Sequence, residues 1–324
     1  MKQKLLKILE NFKNKKLLVI GDIMLDKYIW GDVSRISPEA PVQVVNVLRE
    51  TYAPGGASNV ASNASALTAK VFMVGIAGDD EAKNILIKDL KNVGINTEGI
   101  FIDKDKPTTQ KVRIIGRNQQ LLRVDYEKKQ HSHQDIERSM IKFLEKIVKD
   151  VEIIVISDYA KGVISEEISQ KIIQLANSSK KIIIVDPKPK HKEFYKDVTL
   201  ITPNSAEASE MSEVEEGADE NVIEIGNKLL KNLNTNVLIT RGEKGMSLFE
   251  KNGNITNIPT HAREVYSLIG AGDTVVATIA LALASGASLK EGAMLANIAA
   301  GIKVGKIGTA SVSIEEIKKE IERL

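Results

Sequence analysis

Ile153-Ile-Val-Ile-Ser-Asp158 and Lys181-Ile-Ile-Ile-Val-Asp-Pro187 decide the fold class. Each is an unbroken run of mostly β-branched residues that stops at an acidic residue, and a helix-length amphipathic stretch lies between them. A continuous apolar run of this length suits a strand buried on both faces, as in a parallel sheet covered by helices. The same rhythm extends in both directions. Leu17-Leu-Val-Ile20 ends at Gly21-Asp22, and Val71-Phe-Met-Val-Gly75 precedes a helical segment from Asp80 to Val93. Val198-Thr-Leu-Ile201 and Val237-Leu-Ile-Thr240 follow, each succeeded by polar or Gly residues. The class is α/β. Ligands of open α/β sheets bind beyond the carboxyl ends of the strands, so the Asp, Asn, Thr and Gly residues that end these runs mark where a site belongs.

Two regions break the rhythm. Pro41 to Leu48 (PVQVVNVL) and Lys111 to Tyr126 (KVRIIGRNQQLLRVDY) read as strands without an intervening helix, the second as a hairpin turning near Gly116-Arg117-Asn118. They fit a small second sheet set beside the main one. No repeat or low-complexity tract is present, so one domain over residues 1–324 with a β insertion is expected. Thr274 to Ser285 and Lys290 to Val304 read as Ala/Gly-rich helices that pack closely.

Composition limits the function classes. The 324 residues are 43% hydrophobic and 27% charged, ordinary values for a globular chain. Forty-five Lys and Arg against forty-three Asp and Glu leave a net charge of +2, which argues against a dedicated nucleic-acid or membrane-surface binder. With no Cys there are no disulfides, thiolate metal sites or Cys nucleophile. Met1 to Lys16 reads as an amphipathic surface helix without the apolar block of a signal peptide, and no apolar run approaches the ~20 residues of a membrane span. The cytoplasm is the expected compartment.

The sharpest local motif is Gly270-Ala271-Gly272-Asp273-Thr274 running into an apolar helix. Two glycines permit a tight turn with exposed N–H groups, and the helix N-terminus adds positive dipole, so an anion can sit there. Asp273 could then take a proton from an alcohol beside that anion, or it could simply cap the helix. Gly55-Gly56-Ala57-Ser58-Asn59 opens a second helix and offers either a polyhydroxy-ligand contact or an N-capping turn. Asp22 and Asp26 follow the first strand and could accept bonds from sugar hydroxyls or lie solvated in a loop. Asn204 and Glu207, one helical turn apart, could organise Mg²⁺ through waters or cap a helix. His131, His133, His191 and His261 lack the companions of a zinc site. There is no G-x-x-x-x-G-K-[ST] and no G-x-G-x-x-G after the first strand, which excludes the P-loop and dinucleotide-fold readings. The basic stretch Lys188 to Lys192 reads as a solvated face, with Lys188 close enough to a strand end to reach a ligand.

Taken in order, Gly21-Asp22, Gly55-Gly56 with Asn59, Asn204-x-x-Glu207, Thr240-x-Gly242 and Gly270-Ala-Gly-Asp273 resemble the PfkB (ribokinase-like) family of sugar kinases over nearly the whole chain. The resemblance implies a three-layer sandwich with a mostly parallel sheet and a small β lid, at about residues 27–52 and 108–126. It implies Asp273 as catalytic base and the amides of Gly270, Ala271 and Gly272 as anion hole. Asp22, Asp26, Gly55, Gly56 and Asn59 fall on the sugar side, Asn204 and Glu207 on the Mg²⁺-phosphate motif, and Thr240, Gly242 and Asn297 near the nucleotide. ATP and Mg²⁺ are the implied cofactors. Gly31-Asp-Val-Ser-Arg-Ile-Ser-Pro-Glu-Ala-Pro41, Arg117-Asn-Gln-Gln-Leu-Leu-Arg123 and Asp158-Tyr-Ala-Lys-Gly162 are similar to the heptose 7-phosphate kinase subgroup. A phosphorylated sugar needs cations, and Arg113 and Lys161 stand with Arg35, Arg117 and Arg123 as candidates.

One departure stands out. Members of the family commonly read Asp-Val-Thr before the Gly-Ala-Gly-Asp turn, where this chain has Ser267-Leu268-Ile269. Loss of that carboxylate implies weak or absent K⁺ activation. The resemblance further implies a homodimer through the lid and a separate nucleotidylyltransferase acting downstream. Open alternatives are a PfkB kinase for another sugar or sugar phosphate, and a catalytically weak sugar-phosphate-binding subunit.

Overall fold

The apolar runs become the strands of a nine-stranded sheet, flanked by helices on both faces. The computed structural model describes residues 1–117, 119–128, 133–215, 219–260, 265–306 and 310–323. In chain order the elements are α1 (Lys2–Glu10), β1 (Lys16–Gly21), β2 (Ile23–Ile36), β3 (Gln43–Gly56), α2 (Ala57–Ala66), β4 (Lys70–Ala77), α3 (Glu81–Asn92) and β5 (Asn96–Ile102). Next come β6 (Gln110–Gly116), β7 (Gln119–Tyr126), α4 (Gln134–Ile147), β8 (Ile153–Ser157), α5 (Glu166–Ser178), β9 (Ile182–Asp186), β10 (Leu200–Ile201) and α6 (Ser205–Ser212). The remainder are α7 (Asp219–Leu233), β11 (Asn236–Thr240), β12 (Met246–Phe249), β13 (Ile255–Ile258), α8 (Ala271–Ala284), α9 (Leu289–Val304) and α10 (Ile314–Glu322).

The large sheet has the order β13-β12-β11-β10-β9-β8-β1-β4-β5. From β5 to β11 every neighbouring pair is parallel, and β12 and β13 add an antiparallel edge. Alternate residues feed opposite cores, as a period of two requires. Leu17, Val19, Ile153 and Val155 pack with α1, α2, α3, α8, α9 and α10. Leu18, Ile20, Ile154 and Ile156 pack with α4 to α7. This gives the expected three layers. The expected strand at Val198 shortens to the two residues of β10, though Thr199 still donates its N–H to the Ile183 carbonyl at 3.0 Å. Among the described residues no helix is long and apolar enough to cross a membrane.

The second sheet has the order β3-β2-β6-β7. Its two antiparallel hairpins are joined by the parallel pair β2–β6. The expected lid strands are present and longer than read: β2 starts at Ile23, so Asp26 lies on a strand rather than in a loop. Arg117 turns the β6–β7 hairpin with φ of 48°, and Asn118 lies outside the described residues. Register aligns Asp26, Lys111 and Asp125 across three strands, and next to them Tyr28, Arg113 and Arg123. One face of this sheet is therefore charged and aromatic. The aliphatic residues between them leave Leu48, Leu122 and Val124 exposed.

Candidate active site

The strand ends Asp22, Asp158, Asp186 and Thr240 converge with the N-terminus of α8 at one mouth of the sheet. A cleft of about 160 Å³ there is lined by Tyr159, Asp186, Lys188, Thr202, Asn204 and Glu207 on one side, and by Thr240, Gly270, Gly272 and Asp273 on the other. It gathers six of the sequence-expected residues.

Asp273 does not cap α8. The N-cap is Gly270, in the left-handed region at φ of 74°, and Asp273 sits two residues inside the helix with only 6% of its surface exposed. Its Oδ2 accepts from Asn59 Nδ2 at 2.5 Å, and its Oδ1 accepts from the Tyr159 hydroxyl at 2.9 Å. Each carboxylate oxygen can accept about two bonds, so each keeps capacity toward the cleft. Burial raises the pKa of Asp273, while the bonds from Asn59 and Tyr159 pull it back down. The net direction is upward, and the two bonds orient the carboxyl group.

The turn ahead of it is shaped for close approach. A Cβ on Gly270 would lie 2.7 Å from Asn59 Nδ2 and 3.6 Å from Lys303 Cε. The first intrahelical bond is made by Thr274 N–H to the Gly270 carbonyl at 3.1 Å, so the N–H groups of Gly272 and Asp273 precede it. The Ala271 N–H is turned inward to Leu268 O at 3.3 Å. This corrects part of the expected anion hole: the amides left for an anion are at Gly272 and Asp273, not at Ala271.

Asn59 is held by Asn63, whose Nδ2 donates to Asn59 Oδ1 at 3.3 Å. Asn59 in turn orients the Asp273 carboxyl group, a contact not read from the sequence. Gly56 has φ of 55° and ends β3, while a side chain at Gly55 would meet Asp26 Oδ2 at 2.9 Å. Asp26 pairs with Arg113, Nη1 to Oδ1 at 2.7 Å, on the charged face of the lid.

Asp22 departs from the expectation that it faces a sugar. Its Oδ2 accepts the N–H groups of Tyr159 (2.8 Å) and Lys161 (3.1 Å), and its Oδ1 that of Val163 (3.1 Å). Burial and the charge of Asp158 raise its pKa, against the pull of those backbone bonds. Its work is to fold the loop after β8, where Ala160 takes φ of 53°. Asp158 grips the same loop: Oδ1 accepts Ala160 N–H at 2.8 Å, and Oδ2 contacts His191 Nδ1 and the Tyr195 hydroxyl, each at 2.7 Å. Both acids thus aim Tyr159 at Asp273.

Asn204 and Glu207 form a reciprocal capping box on α6, with Glu207 N–H to Asn204 Oδ1 at 2.9 Å and Asn204 N–H to Glu207 Oε2 at 3.1 Å. The amide oxygen of Asn204 is therefore used by the helix. Glu207 also pairs with Lys188. Burial, then the charges of Asp273 and Glu207, push the Asp186 carboxyl well above its usual range. Asp186, Glu207 and Asp273 make the cleft rich in carboxyl oxygens, and a divalent cation fits that donor set.

Thr240 bridges to Asn204 at the cleft. Gly242 opens a short turn beyond β11 with φ of 57°, and Asn297 Nδ2 donates to the Pro259 carbonyl at 2.7 Å; neither lines the cleft. Lys161 pairs with Glu127 at 2.5 Å, and Arg123 with Asp125 at 2.9 Å. Arg117 lies 3.6 Å from Asp32 on the surface, and Arg35 is exposed on β2. Sequence reading missed Lys111, whose ammonium lies 5.4 Å from the centroid of the Tyr159 ring, as does that of Lys188. Among the described residues no carboxylate is within ion-pair distance of Lys111. Burial lowers its pKa, with Asp26 opposing. His133 pairs with Asp105 at 2.6 Å on the surface, while His131 and His261 lie outside the described residues.

An oriented carboxyl group beside helix N-terminal amides that have no partner among the described residues is an arrangement suited to phosphoryl transfer to an alcohol. A family model described as pfkB family carbohydrate kinase matches residues 14–317. The chain belongs to the PfkB family of carbohydrate kinases. This PfkB chain is 42% identical over 312 residues to a protein of Desulfatibacillum aliphaticivorans, covering 96% of this chain and 64% of that one. It is 43% identical over 304 residues to a protein of Helicobacter pylori strain J99, covering 94% and 65%. Both carry the name "Bifunctional protein HldE". The chain spans under two thirds of the length of these curated relatives. Its fold is ribokinase-like: Arabidopsis thaliana ribokinase complexed with ribose and ATP superposes with a TM-score of 0.76 at 19% identity, covering 96% of this chain and 99% of that one. Phosphofructokinase-2 from Escherichia coli gives 0.79 at 19%, with the same coverage. This PfkB protein is thus a sugar kinase.

Proposed function

We propose that this kinase transfers the γ-phosphoryl group of ATP to the anomeric hydroxyl of a heptose 7-phosphate, giving the 1,7-bisphosphate and ADP. The observation that carries the reading is Asp273, held through one bond on each oxygen and set beside the free amides of α8. The sugar hydroxyl gives its proton to Asp273 as its oxygen forms the new bond to phosphorus, and the bond to the ADP oxygen breaks. The Gly272 and Asp273 amides face the charge that builds on the transferring group. Mg²⁺ brought with ATP would supply positive charge to offset that of the phosphates. Asp186 and Glu207 would hold it, in part through waters; Thr240 and Gly242 stand on the nucleotide side.

The heptose assignment draws on the segments similar to that subgroup and on the name shared by the relatives. Arg113 of the lid and Lys161 of the loop after β8 already have carboxylate partners, so Lys111 is the cation best placed to take a phosphate on the sugar. The exposed aliphatic face of the lid supports a homodimer formed there. Nucleotidyl transfer to the product is assigned to a unit other than this cleft, which has one base and one anion-binding turn.

The test is a panel of sugar phosphates assayed for ADP release. Heptose 7-phosphate should give the highest kcat/KM. Near-equal rates with fructose 6-phosphate would remove the heptose assignment while leaving the kinase.

A further inference from the structure

Lys188 lines the cleft, yet the reaction as described gives it no task. It stands between Pro187 and Pro189, just after β9, with φ of −106° and ψ of 138°. A residue that precedes proline is driven to extended backbone, and proline holds its own φ, so the point from which this side chain departs is fixed. Its ammonium donates to Glu207 Oε1 and sits 5.4 Å from the centroid of the Tyr159 ring, whose hydroxyl bonds Asp273. Among the described residues Glu207 is its only hydrogen-bond partner, and an ammonium has three protons to give. The others are left for a ligand.

The pair is not needed to fold α6. The capping box closes through Asn204 and Glu207 Oε2, and Lys188 meets the other carboxylate oxygen. A part-exposed ion pair adds little stability, so stability alone does not account for a lysine here. Its side chain is 35% exposed against 14% for Glu207, which makes the lysine the more open member of the pair. Burial acts against its charge, but the bond to Glu207, with the charges of Glu207, Asp186 and Asp158, raises its pKa above the ordinary value. Lys188 is an anchored cation.

Gly272 and Asp273 line the same cleft of about 160 Å³, so an anion seated on their amides is within reach of the lysine's long stem. Those amides are dipoles without net charge. A phosphoryl group in transit carries negative charge spread over its three outer oxygens, and a fixed ammonium answers that charge as amides alone do not.

We propose that Lys188 is a catalytic residue, its ammonium donating to the outer oxygens of the phosphoryl group while that group passes from ATP to the sugar. It stays protonated: the proton of the sugar hydroxyl goes to Asp273, and Lys188 contributes hydrogen bonds and charge only. The inference rests on reading this cleft as the phosphoryl-transfer site.

The experiment compares the full chain with Lys188→Met in two ways. Calorimetry with Mg²⁺ gives the affinities for ADP and for β,γ-imido-ATP, in which a bridging nitrogen blocks transfer. Lys188→Met should bind the imido analogue about 10–100-fold more weakly and ADP within about threefold of wild type, because only the analogue brings a γ-phosphate. Turnover with ATP and the best sugar phosphate should fall by about 10²–10³-fold in kcat, with the sugar-phosphate KM nearly unchanged. Equal losses of affinity for ADP and the analogue would make Lys188 a support for α6 and overturn the inference. So would a kcat within about threefold of wild type. Should Lys188→Met not fold, Lys188→Gln, which can still donate to Glu207 but carries no charge, is held to the same limits. A wild type that releases no ADP with any sugar phosphate would defeat the reading of the cleft instead, and the two affinities would still decide for or against a γ-phosphate contact at Lys188.

Discussion

The Tyr159 hydroxyl donates to Asp273 Oδ1 at 2.9 Å, on the oxygen opposite the one that Asn59 holds. Two residues from different layers of the fold thus fix one carboxylate from both sides. Tyr159 in turn hangs from a loop folded around Asp22 and Asp158.

Removing this bond should act on the base and not on binding. Both hydrogen bonds lower the pKa of Asp273 against the upward push of burial. A base must be ionised, so its rate falls as pH drops through its pKa. In Tyr159→Phe that pKa rises, the acid limb of the kcat profile moves to higher pH, and kcat at neutral pH falls by about tenfold. A pH–rate profile for wild type and variant checks both sign and size; an unmoved limb would mean that Tyr159 serves the loop alone.

Lys111→Met should raise the KM for a sugar phosphate by about 10–100-fold, the worth of one charge-assisted hydrogen bond, and leave the KM for ATP unchanged. Initial rates with each substrate varied in turn separate the two. An equal rise in both would place Lys111 on the transferring phosphate instead.

Much of this was legible in the sequence, for identifiable reasons. Runs such as Ile153-Ile-Val-Ile156 declare strands buried on both faces, and the Asp186 and Thr240 that end two of them line the candidate cleft. The turn at Gly270 and the helix that starts with it were readable because two closely spaced glycines ahead of an apolar run favour a left-handed N-cap. Long-range partnership was not readable. Asn59 and Asp273 are 214 positions apart, and nothing local says that one holds the other. Asp22 reads from the sequence as a ligand contact or a solvated loop acid, and only the folded loop shows that three backbone N–H groups claim it. Lys111 is not legible among many lid cations, since its standing without a carboxylate partner among the described residues depends on strand register.

Asp186→Asn should stabilise the protein at neutral pH. The folded pKa is raised above the unfolded value, so ionised Asp186 is a destabilising group once pH exceeds the unfolded pKa, fully so above the folded one. Asn removes that cost, and Tm at pH 7 should rise by about 2–4 °C. The gain should shrink as pH is lowered and wild-type Asp186 takes up its proton, and Mg²⁺ should stabilise the variant less than wild type. Thermal melts at several pH values, with and without Mg²⁺, give the answer; a gain that grows toward acid pH would reverse the assigned sign.

Gly270→Ala should cost about 1–2 kcal/mol of stability, because φ of 74° is unfavourable for any residue with a Cβ. It should also cut kcat by more than the loss of folded protein explains, since the new methyl group displaces the Asn59 amide from Asp273. Denaturant unfolding combined with active-site titration separates the two effects.

The most direct measurement is the turnover of Asp273→Asn at saturating ATP and heptose 7-phosphate, set beside the affinity of the same variant for the sugar phosphate. The account predicts that kcat falls by about 10²–10⁴-fold with affinity almost unchanged, because Asn keeps the shape and cannot take the proton. A variant that turns over within about tenfold of wild type would contradict it.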